Sequence, residues 1–382
     1  MQIYLQCDVG SDSFFLRHLP GAASCILGVI SQVLVGRRLG ITRRINYIAA
    51  IVPVIVSLAA DDRLRSIWPH FVSRDLVGAA VLLWWWLMMA IAIALFLRNR
   101  VPQKFQSERR AFLTASTAAV CAAPAVVLGA GVIFRKDFHI NEIDIPVSNL
   151  PRDLEGLRLL QLSDIHIGEF FSEQDVVRVV DASNGLRADL VFITGDLITT
   201  TWDPLDRCLL QLARLRSASG LWGCLGNHEL YSKVQNYTTA KARELGIRFL
   251  RHEAVPLRFG DARINLVGVD YPKHGERYLA GVEQLVSGDA FNLLLSHTPD
   301  VFPVAAKQGF DLTLSGHTHG GQINLELFGR NFNLVDLDTP YTRGLYNLGS
   351  SRIYVNSGLG TIGVPIRLGA PPEISVIRLC NT

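Results

Sequence analysis

The chain has 382 residues, of which 49% are hydrophobic and 19% are charged. Its length leaves room for about two and a half average domains, and its apolar content excludes a disordered or low-complexity chain. A soluble protein carries about 25% charged residues to keep its surface in water. We therefore expect the excess of apolar residues to be concentrated in one part of the chain.

Four apolar stretches without a charged residue lie in the first third of the chain. The strongest, Leu76–Leu97, contains three consecutive tryptophans, and as a helix it would cross about 30 Å of hydrocarbon. The sequence predicts about four transmembrane helices, over 19–36, 45–60, 76–97 and 111–134, in a membrane domain of residues 1–135. For the short stretch 45–60 the alternative is a buried core helix.

The loops between these stretches differ in charge. The first loop holds four arginines, Arg37, Arg38, Arg43 and Arg44. A similar positive excess lies between the third and fourth stretches, whereas residues 61–75 are balanced. Because positive loops stay in the cytoplasm, both chain ends and everything after Phe134 are predicted to lie outside it. We expect a multi-pass protein of the inner (plasma) membrane with an extracytoplasmic C-terminal domain.

A local pattern before the fourth stretch agrees with this orientation. Arg109-Arg110, followed by Ala111-Phe112-Leu113, resembles an internal twin-arginine export signal. The alternative is the ordinary positive flank of a membrane helix. Both interpretations place the following domain outside the cytoplasm.

Net charge separates the two parts of the chain. Residues 1–110 carry +7, which leaves −4 for the remainder of a chain whose net charge is +3. The second part has no overall basic excess, so no nucleic-acid partner is expected. Its three well-separated cysteines, Cys208, Cys224 and Cys380, predict neither a disulfide framework nor a CxxC metal site.

After a linker at 136–150, short apolar segments alternate with amphipathic ones. Strands are predicted at Leu157–Leu162, Leu190–Thr194, Leu221–Leu225, Ile264–Val269, Phe291–Leu295, Leu312–Leu314, Ile353–Val355 and Ile374–Leu379. Helices are predicted at Glu173–Ser183, Pro204–Leu215, Thr238–Leu245 and Gly281–Val286. This alternation is typical of an α/β domain with buried sheets, which we assign to residues 151–382.

Polar residues follow five of the first six predicted strands. They are Asp164 and His166, Gly195-Asp196, Gly226-Asn227-His228-Glu229, His297, and Gly316-His317-Thr318-His319. Residues two apart in an extended segment point to the same side, which predicts that the Asp-x-His pair and the His-x-His pair each converge on one point. In α/β domains, strand ends gather ligand-binding groups. Taken singly, each has an ordinary alternative: Gly-Asp is a common turn, and His297 fits a buried core histidine.

The side chains at these strand ends favour one kind of metal site. Carboxylates, imidazoles and one amide, without a thiolate, suit a pair of divalent ions such as Mn²⁺, Fe²⁺ or Zn²⁺ rather than a structural zinc. Two such ions about 3.5–4 Å apart can clamp the attacking and leaving oxygens of an in-line phosphoryl displacement. The pair needs a bridging carboxylate, and Asp196 is the candidate because it is alone at its strand end.

In this order, the motifs Asp-x-His, Gly-Asp, Gly-Asn-His-Glu, a lone His and Gly-His-x-His resemble those of the calcineurin-like metallophosphoesterase superfamily. The resemblance runs from about residue 150 to the C-terminus and includes Gly316–Gln322 and Gly363–Arg367. It is strongest to a bacterial branch in which N-terminal membrane segments or an export signal precede the domain and which is associated with lipid-linked or cell-envelope phosphates. The resemblance implies a four-layer αββα sandwich.

The resemblance also implies the ligands of two metal ions. One ion would be bound by Asp164, His166, Asp196 and His319, and the other by Asp196, Asn227, His297 and His317. A hydroxide bridging the two ions would be the nucleophile. His228 would protonate the leaving oxygen or stabilise the charge that develops on the phosphoryl group.

Three further residues have roles that the resemblance leaves open. The superfamily often has a second Asp three residues after the bridging one, where this chain has Thr199. Glu229 either orients His228 or is only a charge at a helix start. Arg367 is either a phosphate contact or a structural residue.

The predicted function is that of a membrane-anchored, dinuclear-metal phosphoesterase acting on a phosphomonoester, phosphodiester or pyrophosphate. Its expected partners are the lipid bilayer and a phosphate-bearing lipid or envelope substrate, such as a UDP-diacylglucosamine-type pyrophosphate or a wall phosphate. The UDP-linked lipid is a cytoplasmic-face substrate, which conflicts with the predicted orientation. The alternatives are a cyclic-nucleotide phosphodiesterase or nuclease, and a non-catalytic membrane sensor on a phosphoesterase fold.

Overall fold

The computed structural model describes residues 13–38, 40–59, 74–98, 126–273, 275–327 and 330–382. The chain divides into two compact units, Met1–Val132 and Ile133–Thr382. Each unit has its own internal packing.

Residues 126–133, at the end of the fourth predicted span, are helical. Three earlier helices of the first unit have described bounds, α1 (Ser13–Arg38), α2 (Arg43–Ala59) and α3 (Arg74–Arg98). They coincide with the first three predicted spans, but among the described residues only Val77–Phe96 is long and apolar enough to cross a membrane. Helix α2 has 17 residues and contains Pro53, so it is about 25 Å long. Most of the fourth predicted span, 111–125, lies outside the described residues.

The second unit is built on two six-stranded sheets. The strands of the first sheet are β1 (His139–Val147), β2 (Arg158–Leu162), β3 (Leu190–Ile193), β4 (Leu221–Gly223), β5 (Ile247–Phe249) and β14 (Glu373–Asn381). Those of the second are β6 (Glu253–Phe259), β7 (Ala262–Gly268), β8 (Phe291–Leu295), β9 (Leu312–Ser315), β12 (Gly344–Leu348) and β13 (Ser351–Val355). The first sheet has the order β1-β14-β2-β3-β4-β5, and the second has the order β12-β13-β9-β8-β7-β6. A small hairpin is formed by β10 (Asn324–Leu327) and β11 (Arg330–Asn333).

Helices cover the outer faces of the two sheets, and an apolar core lies between them. The inner core combines residues of both sheets, among them Leu159, Phe192, Leu266, Leu293 and Leu314. Helices α4 (Glu173–Asn184) and α5 (Leu205–Leu212) pack on the first sheet, and α8 (Phe302–Gln308) packs beside the second. The α/β prediction is therefore confirmed, with the layers helix, sheet, sheet and helix. Two further helices, α6 (Asn227–Tyr231) and α7 (Gln235–Glu244), follow β4.

The predicted linker at 136–150 is not a free connection. Strand β1, His139–Val147, lies within it and pairs in parallel with β14 along its whole length. Burial along β1 alternates, as expected of an edge strand with one face on the core. The second unit therefore begins before residue 150, at the edge strand of its first sheet.

All eight predicted strands are present within a few residues of their expected bounds. Prediction missed β1, the short β5, the hairpin strands β10 and β11, and the edge strands β6 and β12, of which β6 contains Pro256. A proline demotes a strand pattern in sequence analysis, yet an edge strand tolerates it because one side of its backbone needs no partner. The central strands β2, β3 and β4 run parallel, as do β7, β8 and β9. Within each sheet, the loops that follow these parallel strands therefore all begin on the same side, at the carboxyl ends of the strands.

Candidate metal centre

The backbone turns sharply where the polar motifs follow their strands. Residues Asp164, His166, Asp196, His317 and His319 all have positive φ, between 46° and 75°. Side-chain sterics make this region costly for residues other than glycine, and such outliers cluster at functional sites. The extended geometry that we predicted for the Asp-x-His and His-x-His pairs is therefore wrong at these residues, although Asp164 and His166 do lie in one group of ligand atoms.

Two motif glycines make room for neighbouring ligand side chains. A Cβ atom at Gly226 would overlap the carboxylate of Asp196, and one at Gly316 would overlap Asp164 and Ser163. The loops that follow different strands can approach closely only because these positions lack a side chain. The glycines are thus part of the site's geometry.

One group of side chains consists of Asp164, His166 and His319, whose ligand atoms all lie within 4.8 Å of one another. His166 Nε2 lies 3.2 Å from His319 Nε2, and His319 Nε2 lies 3.4 Å from Asp164 Oδ1. All three residues are buried. A cation would let both ring nitrogens direct their lone pairs at one point.

A second group consists of Asp196, His297 and His317, again within 4.8 Å. His297 Nε2 lies 3.0 Å from Asp196 Oδ2 and 3.3 Å from His317 Nδ1. His317 therefore lies in a different group from His319, contrary to the single point of convergence expected from an extended segment but as in the two ligand sets that the family resemblance implied. The turn between them sends the two imidazoles to opposite sides of the site.

Asp196 lies between the two groups. Its Oδ2 atom is 3.0 Å from His297 Nε2 and 3.6 Å from His166 Nε2, while its Oδ1 accepts a hydrogen bond from the backbone N–H of His228 at 2.9 Å. One oxygen is thus fixed by the protein, and the other faces both groups. This is the geometry that a bridging carboxylate requires.

Asn227 supplies an independent test of whether a metal fits. Its Oδ1 atom is buried and has no hydrogen-bond partner, and the residue is 6% exposed. A buried amide oxygen without a partner costs about 1–3 kcal/mol unless a cation or donor satisfies it. The donor set of carboxylate, imidazole and amide groups, with no thiolate in these groups, therefore fits divalent metal ions.

Burial sets the charge of the imidazoles. It lowers the pKa of His166 to about 3 and that of His317 to about 3, and it lowers the pKa of His319 well below the usual range. For His297 the carboxylates of Asp196 and Asp164 outweigh burial and raise its pKa to about 10. Near neutral pH, three of the four rings are therefore neutral, the form in which histidine binds metal.

His228 lies beside both groups, with its ring centroid 4.9 Å from that of His166. Its Nδ1 donates a hydrogen bond to the backbone carbonyl of Thr199 at 2.8 Å. One of its ring nitrogens lies within 4.8 Å of a carboxylate oxygen of Asp196 and of a ring nitrogen of His166. The bond to Thr199 fixes the ring orientation and leaves Nε2 available for another partner. His228 is therefore oriented by Thr199 and not by Glu229.

Comparison with known proteins agrees with this geometry. The family model described as calcineurin-like phosphoesterase matches residues 157–321. An uncharacterized metallophosphoesterase of Bacillus subtilis, YkuE, is 32% identical over 291 residues, which cover 72% of this chain and 98% of that protein. The chain belongs to the calcineurin-like phosphoesterase family. It is accordingly a metal-dependent phosphoester hydrolase.

Other members of the calcineurin-like family resemble the chain over a smaller share of their length. An uncharacterized metallophosphoesterase of Campylobacter jejuni, Cj0846, is 32% identical over 63% of this chain and 63% of that protein. A transmembrane protein with a metallophosphoesterase domain from Danio rerio is 34% identical over 62% of this chain and 56% of that protein. The chain therefore spans less than two thirds of these two relatives. The second one's name and helix Val77–Phe96 agree with an association with a membrane.

The sequence left two roles open for Glu229, orienting His228 or providing a charge at a helix start, and the structure shows a third. The Glu229 carboxylate is fully buried and accepts hydrogen bonds from the backbone N–H groups of Asp196, Leu197 and Gly226 at 2.7–3.0 Å. It does not orient His228. Glu229 instead fastens the loop after β3 to the loop after β4, and so fixes Asp196 relative to Asn227.

Arg367, which we considered as a phosphate contact, is used inside the protein. Its guanidinium is buried and donates to the carbonyl oxygens of Gly360, His319, Ser357 and Ala370. It also lies 3.3 Å from Nδ1 of His319. These bonds occupy the guanidinium donors, so the structural alternative holds. Arg367 joins the loop after β13 to the loop that carries His319.

Sequence analysis did not predict the contacts that two further residues, Thr199 and Tyr271, make with the histidines of the site. Thr199 was noticed only because an acid is common at its position, yet its hydroxyl lies 3.0 Å from His166 Nδ1. Tyr271 follows β7, the one strand among the first six predicted without a polar motif, and its ring centroid lies 5.4 Å from that of His317. The signal available for Tyr271 was its place at the end of that strand.

Proposed function

We propose that the protein is a membrane-anchored phosphoesterase that uses two divalent ions to hydrolyse a phosphomonoester, phosphodiester or pyrophosphate. The observation that carries this proposal is the position of Asp196 Oδ2, which faces His297 on one side and His166 on the other. A single carboxylate shared by two buried groups is what a pair of ions needs. The ions we propose are Mn²⁺, Fe²⁺ or Zn²⁺.

The residues divide between the two ions as their positions suggest. We infer that Asp164, His166 and His319 hold one ion, that Asn227, His297 and His317 hold the other, and that Asp196 contributes to both. Bound there, the ions would supply positive charge to the phosphoryl oxygens and lower the pKa of the attacking water. The protein's contribution is to keep these ligands in place through buried hydrogen bonds, so that little reorganisation is needed during the reaction.

We assign the transfer of a proton to His228. With Nδ1 bonded to the Thr199 carbonyl, a second proton on Nε2 makes the ring a donor toward the site. The oxygen that leaves phosphorus carries developing negative charge, and a donor aimed at it assists its departure. The fixed orientation of His228 supports this role because it holds the ring beside His166 without a search among rotamers.

The experiment is hydrolysis of p-nitrophenyl phosphate and bis(p-nitrophenyl) phosphate by the whole chain supplied with Mn²⁺, with metal content measured in parallel. Asp196→Asn should reduce both hydrolysis and bound metal to background. Asp206→Asn, at an exposed position of α5, is the matched control and should retain both. An unaltered chain that binds no metal and cleaves neither ester would overturn the proposal.

We further propose that the substrate is lipid-linked or belongs to the cell envelope, and that the second unit lies outside the cytoplasm. The orientation is supported by the arginine-rich loop 37–44 through the positive-inside rule, and a substrate at the membrane is suggested by helix Val77–Phe96. A reporter fused after Thr382 that works only on one side of the membrane tests the orientation. Activity of a reporter that works only in the cytoplasm would contradict the proposed orientation and would favour a UDP-linked lipid as the substrate.

A further inference from the structure

A cavity of about 470 Å³ lies beside the proposed metal centre. We call it the Tyr271 pocket. It is lined by the loop after β4, by residues that follow β5, and by residues 269–273 and 276–280 after β7. Its volume is in the range of pockets that hold small organic ligands. Nothing in the proposed phosphate chemistry uses it.

The pocket adjoins the centre at Gly226 and Tyr271. Gly226 lines the pocket and immediately precedes Asn227. The Tyr271 ring lies 5.4 Å from that of His317 and 6.1 Å from that of His297, centroid to centroid. The pocket is therefore within reach of an organic group attached to a phosphate at the centre.

The walls of the pocket are mixed in character. Apolar surface is provided by Leu225, Val269, Leu279 and Val301, and aromatic rings by Tyr271 and Tyr278. On the polar side, Arg251 donates to both carboxylate oxygens of Asp270 at 2.8–2.9 Å and to Asn236 Oδ1 at 2.6 Å. Arg277 lines the same pocket and is exposed to solvent.

These walls discriminate between classes of organic group. An acyl chain would cover the Arg251–Asp270 pair and remove water from it without offering a hydrogen bond, which is costly for charged groups. A hydroxylated ring can bond to the carboxylate and guanidinium with its hydroxyls while its less polar face rests on tyrosine. The exposed Arg277 can in addition attract a second anionic group, because guanidinium matches phosphate and carboxylate oxygens.

We propose that the Tyr271 pocket binds a hydroxylated ring, a sugar or a nucleoside, that is esterified to the phosphate held at the metal centre. This inference rests on the proposed phosphoesterase function and specifies its substrate. It assigns acyl chains of a lipid-linked substrate to a place outside the pocket. The ring could belong to a nucleotide or to a sugar phosphate, and the test separates the two.

The test compares four phosphate esters of primary alcohols, so that the ester chemistry is the same and only the organic group differs. They are ethyl phosphate, hexyl phosphate, glucose 6-phosphate and uridine 5′-phosphate. Their dissociation constants are measured as competitive inhibition constants in initial-rate hydrolysis of p-nitrophenyl phosphate by the whole Mn²⁺-loaded chain in detergent. At least one ring ester should bind about tenfold or more tightly than ethyl phosphate, and hexyl phosphate should bind no better than ethyl phosphate. Glucose 6-phosphate against uridine 5′-phosphate distinguishes a sugar from a nucleoside.

Substitutions in the pocket wall test whether a preference for ring esters arises from the Tyr271 pocket. Arg277→Ala and Tyr278→Ala change exposed side chains of its wall, and each should reduce the preference for the ring ester to less than about threefold. Arg216→Ala, at an exposed position that precedes β4, is the matched control and should preserve the preference. Equal binding of all four esters, tighter binding of hexyl phosphate, or a preference that survives both pocket variants would overturn the inference.

Failure of the pocket assignment can be distinguished from failure of the proposed phosphoesterase function. Hydrolysis of p-nitrophenyl esters tests the metal centre and does not depend on ring binding. Active protein with equal dissociation constants would refute the pocket assignment alone. Absence of metal binding and of hydrolysis would refute the proposed function first.

Discussion

The hydroxyl of Thr199 lies 3.0 Å from Nδ1 of His166. Since Nε2 of His166 faces His319 and Asp196, the ring proton is on Nδ1, which donates a hydrogen bond to the Thr199 hydroxyl. Thr199 thus orients a proposed metal ligand at the position where the wider superfamily often has an acid. Asp203, the next acid along the chain, accepts hydrogen bonds from the backbone N–H groups of Thr199 and Thr200 and holds the loop in place.

Thr199→Val removes the acceptor of His166 with little change in shape. Because groups that orient a metal ligand are worth about 10–100-fold in affinity, we expect the Mn²⁺ dissociation constant to rise by that factor in calorimetric titration. Thr199→Ser should restore most of the affinity, and Thr201→Val, at an exposed position, should leave it unchanged. An unaltered dissociation constant for Thr199→Val would show that the contact is incidental.

Gly226→Ala should remove metal binding, since the added methyl group would overlap the carboxylate of Asp196. Displacement of that carboxylate disturbs both groups, so hydrolysis and bound metal should fall together. Gly288→Ala is a suitable comparison because a Cβ there meets no atom within 4 Å. The idea fails if Gly226→Ala retains normal metal content.

Glu229→Gln should destabilise the fold. The buried carboxylate accepts three backbone N–H bonds, and an amide NH₂ group in its place would confront those donors. We expect a loss of roughly 1–3 kcal/mol in the free energy of unfolding, measured by denaturant titration. Glu244→Gln, on the exposed side of α7, should cost little. Equal stability of the two variants would contradict the assignment.

Arg367→Lys should lower stability more than it alters substrate affinity. Lysine cannot reproduce the planar set of donors that reaches the carbonyls of Gly360, Ser357 and Ala370. Thermal unfolding and KM for p-nitrophenyl phosphate, measured side by side, distinguish the two roles. A raised KM at unchanged stability would restore the role of phosphate contact.

Asp175 gives a prediction on the pH dependence of stability. Burial alone would raise the pKa of Asp175, but hydrogen bonds from Lys136 at 2.5 Å and from Ser172 outweigh it and lower that pKa. A carboxyl with a lower pKa in the folded state stabilises fully above its unfolded value of about 3.9, and this contribution is lost as the pH falls through the folded pKa. Asp175→Asn should thus be less stable than the unaltered chain by about 1 kcal/mol at pH 6.

That difference should shrink below about pH 4, where protonation removes the same interaction from the unaltered chain. Unfolding free energies at pH 3 to 7 provide the measurement. Asp181→Asn, on the exposed side of α4, serves as the control. A difference that stays constant down to pH 3 would exclude the Lys136–Asp175 interaction as its source.

The strands and the five polar motifs were predictable from the sequence because they rest on local patterns. Alternating apolar segments predict buried strands, and Asp, His and Asn at their ends predict ligands, whatever the remaining chain does. Thus Asp164, Asp196 and His297 could be named in advance. Strand β1 could not, because its partner β14 lies more than two hundred residues away in sequence and edge strands have weak patterns.

Which atoms meet was decided by the tertiary structure. His317 and His319 are two residues apart, yet positive φ at both sends them to different groups, and no local pattern predicts such turns at non-glycine residues. Sequence analysis left Glu229 and Arg367 open between a role in the chemistry and a structural role, and the structure shows that both bind buried backbone groups. The sequence alone determined the types of ligand and their order, and the packing of the two sheets determined how the ligands are shared, because burial forces every polar group to find a partner.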